Sequence, residues 1–265
     1  MKVVLFCGGL GTRIREYSES VPKPMIPIGH QPILWHVMQY YSRYGHTDFV
    51  LCLGYKANTI KEFFLNYRPH VYADCTVSGF GQNVELLNDP KDDWRITMVD
   101  TGVWRNIGER LWAVREHVKN EEIFLANYSD GLTDVNLDEM VEKFRKSGKI
   151  ACFIAVRPPL TFHMADIDET GRVRDLLTSD RSDIWINGGY FLLRQEIFDY
   201  MREGEELVIE PFRRLIKADQ LMAYKYEGFW RAMDTLRDRQ ILEDMVEQGK
   251  MPWRIQNGQA GPERT

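Results

Sequence analysis

Two patterns of apolar residues take turns along the first 150 residues: short continuous apolar runs, and segments in which apolar residues recur every three or four positions. Continuous apolar runs are typical of strands buried on both faces of a parallel sheet, whereas apolar residues spaced three or four apart indicate helices. The predicted strands cover 3–7, 48–54, 94–102 and 122–131, and the predicted helices cover 32–45, 58–67, 108–118 and 136–148. This repeated alternation of strand and helix predicts an α/β fold around a doubly wound, mostly parallel sheet.

The second half of the chain has a more mixed pattern. Strands are predicted over 150–159, 172–177 and 184–194, and helices over 210–220 and 235–249. Part of the sheet is therefore expected to be antiparallel. Because no repeat or domain-breaking linker interrupts the pattern, residues 1–254 are interpreted as one domain, followed by a polar tail at 255–265.

The net charge, the cysteine spacing and the lack of long apolar runs limit the class of protein and the ligands that it is expected to bind. The 265 residues carry a formal charge of −5, so the overall field does not favour nucleic acid, and a polyanionic ligand needs a local cluster of cations. The four cysteines show no Cys-x-x-Cys spacing and are expected to be free, mostly buried thiols. No signal-type or membrane-spanning apolar run stands out, so a cytoplasmic protein without membrane contact is expected.

The most informative stretch follows the first strand and reads GGLGTR, with PKPM a short way on. Successive N–H groups in a glycine-rich turn form a concave anion site that a phosphate can approach closely. Arg13 adds a forked cation suited to phosphate, and Lys23 adds a point charge whose backbone is restricted by Pro22 and Pro24. The stretch lacks the Gly-Lys-Ser/Thr of a Walker A loop and the third glycine of the dinucleotide fingerprint.

Two carboxylates are candidates for a Mg²⁺ site. Asp130 ends a predicted strand in YSDG, and Asp234 precedes a predicted helix in FWRAMDT. Two carboxylates with phosphate oxygens suit Mg²⁺, because this ion keeps waters and takes few protein ligands. Each residue also has a purely local interpretation, Asp130 in an Asp-Gly turn and Asp234 as the N-cap of the following helix.

The remaining signals are weaker. INGGYF at 186–191 places glycines beside an amide, which fits either a sugar or phosphate platform or a bulged strand. Trp230, Trp253 and the tyrosines of the 32–45 helix are interpreted as core or subunit contacts, which makes that helix a candidate surface for homo-oligomer formation.

Together these residues resemble the sugar-phosphate nucleotidyltransferases, most closely the glucose-1-phosphate cytidylyltransferases. The resemblance covers residues 2–254 and includes, in order, GGLGTR, PKPM, PILWHVMQYYS, DFVLCLGYK, VDTG, INGGYF, GFWRAMDTLRD and GKMPW. It implies a Rossmann-like three-layer α/β/α sandwich of the nucleotide-diphospho-sugar transferase type, with a mixed sheet. It also implies transfer of CMP from CTP to a phosphorylated acceptor, with release of pyrophosphate and with Mg²⁺ as cofactor.

The resemblance also implies roles for matching positions. Arg13 would contact the β- and γ-phosphates, Lys23 the α-phosphate region, and Ser129 the ribose. Asp130 and Asp234 would hold Mg²⁺. The positions implied to bind the nucleotide are Phe6, Cys7, Gly8, Gly9, Leu10, Gly11, Thr12, Arg13, Lys23, Thr101, Gly108, Arg110 and Ser129. The positions implied to face the acceptor are Asn187, Gly188 and Gly189, with Arg181 as a substitute cation.

The acceptor half departs from the family pattern. Ser179 stands where the family carries a lysine that grips the sugar phosphate, and Phe162-His163 stands for Phe-Gly. These changes predict an acceptor other than plain glucose 1-phosphate. Near the base, Glu109 replaces a glycine, and its carboxylate is a candidate acceptor for the cytosine amino group.

Two other functions fit part of the pattern. A glycosyltransferase of the related fold would commonly hold its metal with Asp-x-Asp, where this chain has Ser-Asp-Gly. A non-catalytic homologue that only binds nucleotide or sugar phosphate would explain the altered acceptor segment. The retained set of Arg13, Lys23, Asp130 and Asp234 favours an enzyme over a binding protein.

Overall fold

The computed structural model describes residues 1–9, 21–72, 74–87, 93–158, 164–177 and 184–254. Its strands are β1 (Val3–Phe6), β2 (Pro27–Ile28), β3 (Gln31–Pro32), β4 (Asp48–Leu53), β5 (Cys75–Ser78), β6 (Asn83–Leu86), β7 (Arg95–Asp100), β8 (Ile123–Asn127), β9 (Gly131–Thr133), β10 (Ala151–Val156), β11 (Met164–Ile167), β12 (Val173–Leu177), β13 (Ile186–Arg194), β14 (Leu221–Tyr226) and β15 (Trp230–Ala232). Its α-helices are α1 (Ile33–Arg43), α2 (Ala57–Leu65), α3 (Pro69–Tyr72), α4 (Ile107–Ala113), α5 (Arg115–Val118), α6 (Leu137–Ser147), α7 (Glu210–Lys217) and α8 (Leu236–Glu247), and 3₁₀ turns cover Lys23–Met25 and Gln195–Tyr200.

The central element is a seven-stranded sheet with the order β14-β10-β13-β8-β1-β4-β7. β1 pairs in parallel with β4 and β8, β4 with β7, and β10 with β14. β13 runs antiparallel to both of its neighbours, β8 and β10. The predicted α/β fold with a mostly parallel, mixed sheet is therefore confirmed.

Both faces of the sheet are covered, because side chains alternate along each buried strand. In β1, Val3 and Leu5 belong to one apolar cluster, and Val4 and Phe6 belong to the other. The first cluster includes residues of α1, α2, α6 and α8, and the second includes residues of α4, α5, α7 and the 195–200 turn. This gives the three layers that the resemblance implied.

The helix limits follow local chemistry closely. Asn136 caps α6 by accepting from the Glu139 N–H, and Gly148 ends this helix in the left-handed region, so the helix fills the predicted range of 136–148. The predicted helix over 108–118 is divided into α4 and α5, with a break at Val114.

Several strands differ from the sequence pattern, including β12 and β14. The 172–177 segment forms β12, but it pairs with β11 in a separate ribbon rather than joining the central sheet. The edge strand β14 was not predicted. Lys225 and Ala223 are exposed there, so the strand lacks the continuous apolar run of its buried neighbours.

The core interpretation of the cysteines and aromatic residues is largely confirmed. Cys7, Cys52 and Cys152 are buried free thiols, and Cys75 is half-buried. Tyr40, Tyr41 and Trp253 are each at most 1% exposed. Within the described ranges, no helix is both long enough and apolar enough to cross a bilayer.

A buried histidine links the end of the described chain to α1. The Trp253 Nε1–H donates to His36 Nδ1 at 3.4 Å, so His36 Nε2 carries the proton and donates to the Ile28 carbonyl at 2.9 Å. Burial lowers the pKa of His36 to about 4, and the nearby Arg254 and Arg43 act in the same direction, against the bond to Ile28. A second proton on His36 would break the bond from Trp253.

Because of His36, we expect the protein to lose stability at pH values well above those at which carboxylates take up protons. The unfolded chain takes up the proton near pH 6.5 and the folded chain near pH 4, so the stabilisation is complete above pH 6.5 and is lost as the pH falls toward 4. Between pH 7.5 and 5 the free energy of unfolding should fall by about 2 kcal/mol through His36. Urea titrations at both pH values should show a shallower pH dependence for His36→Gln, and an unchanged slope would contradict the assignment.

Candidate active site

Several of the predicted site residues that the structure describes lie at one edge of the central sheet. Gly8 and Gly9 follow β1, the Ser129–Asp130 pair follows β8, and the 101–103 segment follows β7. β1 and β8 are neighbours in the sheet, with Leu5 opposite Asn127. In open α/β sheets, ligands bind outside the carboxyl ends of the strands, which makes this edge the candidate site.

Lys23 brings the two predicted metal ligands together. Its Nζ donates to Asp130 Oδ2 at 2.6 Å and to Asp234 Oδ1 at 2.7 Å. The lysine sits on the 3₁₀ turn Lys23–Met25, which Pro24 and Met25 anchor in the core. The two carboxylates, distant in sequence, therefore lie around one position that a cation occupies.

The N-cap interpretation of Asp234 is wrong. Thr235 caps α8, since its side chain accepts from the Asp238 N–H while the Asp238 side chain accepts from the Thr235 N–H. This capping box provides hydrogen-bond partners for the N–H groups at the start of α8, and its N-cap is one residue later than the expected Asp234. The carboxylate of Asp234 is thereby available to Lys23.

The charges of this trio support one another. Burial opposes the charge on Lys23, but Asp130 and Asp234 together outweigh it and raise the pKa of the lysine above its ordinary value. The Lys23 side chain is 14% exposed, and those of Asp130 and Asp234 are 23% and 37% exposed. A protonated lysine thus offsets part of the repulsion between the two carboxylates, although burial still raises the pKa of Asp130 above its ordinary value.

Arg110 holds three strand ends together. Its Nη1 donates to Leu53 O, Thr101 Oγ1 and Gly102 O at 3.2, 2.7 and 2.9 Å, and its Nη2 donates to Gly8 O and Val103 O at 3.0 and 3.1 Å. These oxygens lie at or beyond the ends of β4, β7 and β1. The residue is 2% exposed. Its terminal nitrogens are therefore bonded to the site loops themselves, and direct contact with a nucleotide stays a prediction.

The fit around Arg110 requires glycine at position 8. A Cβ there would lie 2.0 Å from Nη1, and all three of the nearest heavy atoms belong to the Arg110 guanidinium. Gly8 thus serves the close approach of an arginine, in addition to the predicted approach of a phosphate.

The start of α4 is fixed by a second capping box. The Asn106 side chain accepts from the Glu109 N–H at 2.9 Å, and Glu109 Oε2 accepts from the Asn106 N–H at 3.0 Å. The carboxylate of Glu109, a candidate reader of the cytosine, is thus engaged by the helix cap. Gly108 packs against the backbone of Glu205 and Leu207.

Hydrogen bonds fix Ser129 next to the end of β1. Its Oγ lies 2.7 Å from Phe6 O and 2.6 Å from Tyr128 O, so its hydroxyl donates to one of these carbonyls, and its N–H donates to Asn127 Oδ1. Its φ is +64°, a left-handed conformation that residues other than glycine rarely adopt. The neighbouring Cys7 is inert as a nucleophile, because burial raises the pKa of its thiol to about 12.

The glycine pair predicted to face the acceptor lies on β13. Asn187 Nδ2 donates to the Tyr128 hydroxyl at 3.1 Å, and its Oδ1 accepts from the Gly189 N–H at 2.9 Å. The Trp230 Nε1–H donates to Gly188 O at 2.8 Å. The register shift between β10 and β13 in this region agrees with the bulged-strand interpretation. Both interpretations of this segment are compatible with the structure.

Several predicted site residues lie outside the described ranges. These are Leu10, Gly11, Thr12, Arg13 and Arg181, together with the family departures at Phe162, His163 and Ser179. Their roles stay predictions.

A cavity of 340 Å³ opens at this edge of the sheet. Its lining comprises Phe6, Gly9, Lys23, Pro24, Arg105, Asn106, Ile107, Arg110, Tyr128, Ser129, Asp130 and Glu206. It joins the Lys23–Asp130 pair to the start of α4. Pro24 and Tyr128 were not predicted to belong to the site, although they directly neighbour the predicted Lys23 and Ser129.

Glu206 is another lining residue that the sequence did not predict, and it is far in sequence from the predicted motifs. Its Oε2 accepts from the Ile107 N–H at 3.3 Å, and its Oε1 is buried. Burial raises the pKa of Glu206, against the pull of the N–H groups of Ile107, Leu207 and Val208. The only sequence signal was an acidic run in REGEEL, which ordinarily indicates a solvated surface.

Sequence and structure comparisons place the chain in a known class. A model of the nucleotidyl transferase family matches residues 2–238, so the chain belongs to this family. Within it, glucose-1-phosphate cytidylyltransferase of Salmonella typhi is 40% identical over 256 residues, which is 96% of this chain and 99% of that protein. The probable glucose-1-phosphate cytidylyltransferase of Bacillus subtilis (strain 168) is 34% identical over 257 residues, 96% of this chain and 100% of that protein.

Solved structures share the fold at lower identity. A putative glucose-1-phosphate thymidylyltransferase from Bacillus anthracis superposes with a TM-score of 0.67 at 16% identity, covering 98% of each chain. HddC from Yersinia pseudotuberculosis, complexed with GMP-PN, superposes with a TM-score of 0.66 at 18% identity, covering 92% of this chain and 99% of that one. These similarities confirm the nucleotidyltransferase fold that the sequence predicted.

Proposed function

We propose that this protein transfers CMP from CTP to a sugar 1-phosphate, or to a related small phosphorylated acceptor, and releases pyrophosphate. The observation that carries the proposal is the convergence of Asp130 and Asp234 on one cation beside a glycine-ended strand. The cytidylyltransferase relatives at 40% and 34% identity support the choice of reaction and of CTP. Family membership favours nucleotidyl transfer over the glycosyltransferase alternative.

The chemistry needs no general base. The nucleophile is a phosphate monoester, whose second pKa near ~6 leaves it largely dianionic at neutral pH. One of its oxygens attacks the α-phosphorus of CTP, a new P–O bond forms, and the bond from the α-phosphorus to the bridging oxygen breaks, so that pyrophosphate leaves with the electron pair. Catalysis is then the alignment of two anions and the neutralisation of their charge.

The two aspartates fit a divalent cation. They already share an ammonium at 2.6 and 2.7 Å, and carboxylate oxygens are the ligands that Mg²⁺ prefers. A bound Mg²⁺ would supply Lewis-acid stabilisation of the phosphate charge. If Mg²⁺ took the place of the Lys23 ammonium between the two carboxylates, Lys23 could contact a phosphate oxygen of the nucleotide while its backbone stayed in the same 3₁₀ turn.

The metal assignment predicts that Lys23 competes with divalent ions in the free protein. Replacing Lys23 by Met removes the internal counter-ion and leaves two carboxylates that repel each other. We expect Mn²⁺ to bind the nucleotide-free Lys23→Met variant at least tenfold more tightly than it binds the wild type, as measured by electron paramagnetic resonance. Lys119→Met, at an exposed lysine that directly follows α5, is the control. Equal Mn²⁺ affinities for all three proteins would contradict the assignment.

The function itself is tested by a pyrophosphate-release panel. The four nucleoside triphosphates are crossed with several sugar 1-phosphates and small phosphorylated acceptors. Release that depends on both CTP and an acceptor is expected. Efficient turnover of glucose 1-phosphate would remove the basis for the altered acceptor predicted from Ser179, and no release with any pair would favour the non-catalytic binding alternative.

A further inference from the structure

Two cations lie against one tryptophan ring at the same edge of the sheet as the candidate active site. The Arg157 guanidinium is 4.3 Å from the centroid of the Trp185 ring, and Lys225 Nζ is 5.0 Å from it. Arg157 directly follows β10, Trp185 directly precedes β13, and Lys225 lies near the end of β14. Because β13 runs antiparallel to both β8 and β10, the ends of β10 and β14 lie at the edge where Asp130 follows β8.

The strand register places this cluster on the same face of the sheet as the predicted acceptor platform. Asn187 is opposite Ala155, and Ala155 is opposite Lys225, so the three residues form one row across β13, β10 and β14. Residues paired in this way point to the same face, and so do residues two apart in an extended chain. Trp185 lies two residues before Asn187, and its ring contact with Lys225 agrees with this placement.

Seen from the cavity, the cluster lies beyond the acceptor platform. Asn187 Nδ2 donates to the hydroxyl of Tyr128, a cavity-lining residue. In the sheet, β13, β10 and β14 follow β8 in that order, so the ends of β10 and β14 lie about 10 and 14 Å from the end of β8. The attacking phosphate must lie beside the α-phosphate of CTP, near Lys23 and Asp130. The cluster therefore faces a more distant part of the acceptor.

The chemistry of the cluster suits an anion. The side chain of Arg157 is 26% exposed and lies 3.7 Å from the carboxylate of Glu227, whose side chain is 70% exposed. Lys225 is exposed, and within the described part of the chain no acidic side chain forms an ion pair with it. The face of a tryptophan ring attracts both cations and holds them in place. A guanidinium fork and an ammonium are the groups that bind a carboxylate or a phosphate.

We propose that Arg157, Trp185 and Lys225 bind a second anionic group of the acceptor, a carboxylate or a phosphate remote from the phosphate that reacts. This inference rests on the proposed function and narrows its acceptor to molecules with two anionic groups. Arg157 supplies a forked contact and Lys225 a point charge, while Trp185 positions both cations. The cluster determines specificity and takes no part in the bond-making step.

The test compares three acceptors that differ at one carbon. Glucose 1-phosphate has a neutral hydroxymethyl group at C6, glucuronic acid 1-phosphate has a carboxylate there, and glucose 1,6-bisphosphate has a phosphate. Each is titrated calorimetrically into the full chain with Mg²⁺ and α,β-methylene CTP, which cannot release pyrophosphate. We expect at least one of the two dianionic acceptors to bind about tenfold or more tightly than glucose 1-phosphate, and the better of the two identifies the anionic group.

The double variant Arg157→Gln/Lys225→Gln should reduce this preference to less than about threefold and leave the affinity for glucose 1-phosphate unchanged. Lys225→Gln alone, at an exposed position of the edge strand, should remove part of the preference. The matched control is Arg115→Gln/Lys119→Gln, which removes the same two charges near another tryptophan, since the Arg115 guanidinium lies 4.8 Å from the centroid of the Trp112 ring. This control should keep the wild-type preference.

Three results would overturn the proposal. These are equal affinities of the wild type for all three acceptors, a preference that survives in the double variant, and an equal loss in the control, which would indicate a general effect of net charge. A double variant that binds glucose 1-phosphate as weakly as the dianionic acceptors would assign the cluster to the reacting phosphate instead. If no acceptor supports pyrophosphate release from CTP by the wild type, the proposed function fails, and the dissociation constants still decide whether the cluster binds an anion.

Discussion

Replacing either Asp130 or Asp234 by asparagine should reduce kcat about a thousandfold, which corresponds to ~4 kcal/mol of transition-state stabilisation. An asparagine keeps the size of the side chain and one acceptor oxygen, but it lacks the charge that holds a divalent ion against phosphate. Because both carboxylates contact the same Lys23 Nζ, at 2.6 and 2.7 Å, loss of either one should disable the same centre. The rate is measured as pyrophosphate release from CTP at saturating acceptor and Mg²⁺.

The folded state of these variants should be preserved. Lys23 keeps one carboxylate partner in each single variant, so its charge is not left isolated. Circular dichroism and the thermal midpoint should therefore stay near those of the wild type. Asp138→Asn, an exposed aspartate in the first turn of α6, is the matched control and should keep full activity. Wild-type rates in both Asp130→Asn and Asp234→Asn would refute the metal assignment.

Removing the Arg110 guanidinium should produce the largest loss of stability. Arg110→Met keeps much of the aliphatic length but removes donors to five oxygens at three strand ends. Leu53 O and Gly8 O keep the N–H groups of Thr101 and Tyr55 as donors, but Gly102 O and Val103 O lose their bonds from Arg110, and a buried space loses its polar filling. The free energy of unfolding should therefore fall by about 2–4 kcal/mol. Denaturant titration measures this change.

The same variant separates two roles for Arg110. If the arginine mainly positions the loops, Arg110→Met loses stability and weakens CTP binding, because Gly8 and the 101–103 segment lose their common anchor. If it mainly contacts the triphosphate, stability stays near wild type and only the KM for CTP rises. Arg115→Met, at a surface arginine bonded to the Trp112 carbonyl, is the control and should change stability by less than about 0.5 kcal/mol.

The sequence predicted the fold well where burial dominates. The run at 3–7 is apolar at every position because β1 is covered on both faces, and a short run of this kind is typical of a central strand. β14 was missed because an edge strand exposes part of its length, and β12 was assigned correctly as a strand but without its true partner. Pairing depends on residues far apart in the chain, which a local pattern does not contain.

For the site too, local motifs indicated which residues take part, whereas contacts between distant segments could not be predicted. Motif spacing indicated Lys23, Asp130 and Asp234, but their joint contact depends on how β8, the 3₁₀ turn and the start of α8 come together. Glu206 was missed since its meaning comes from burial against Ile107, 99 residues away. Its acidic neighbours resemble ordinary surface residues until that contact is known.

The close fit between Gly8 and Arg110 has a consequence for how related sequences diverge. A methyl group at position 8 would overlap the guanidinium, whereas the same methyl group beside a shorter residue at position 110 would no longer meet the three atoms nearest to it. A change at position 8 is therefore tolerated only after the arginine has been lost, and the order of the two mutations matters. Through this epistasis, the residue that is tolerated at one position depends on the residue at another position 102 residues away.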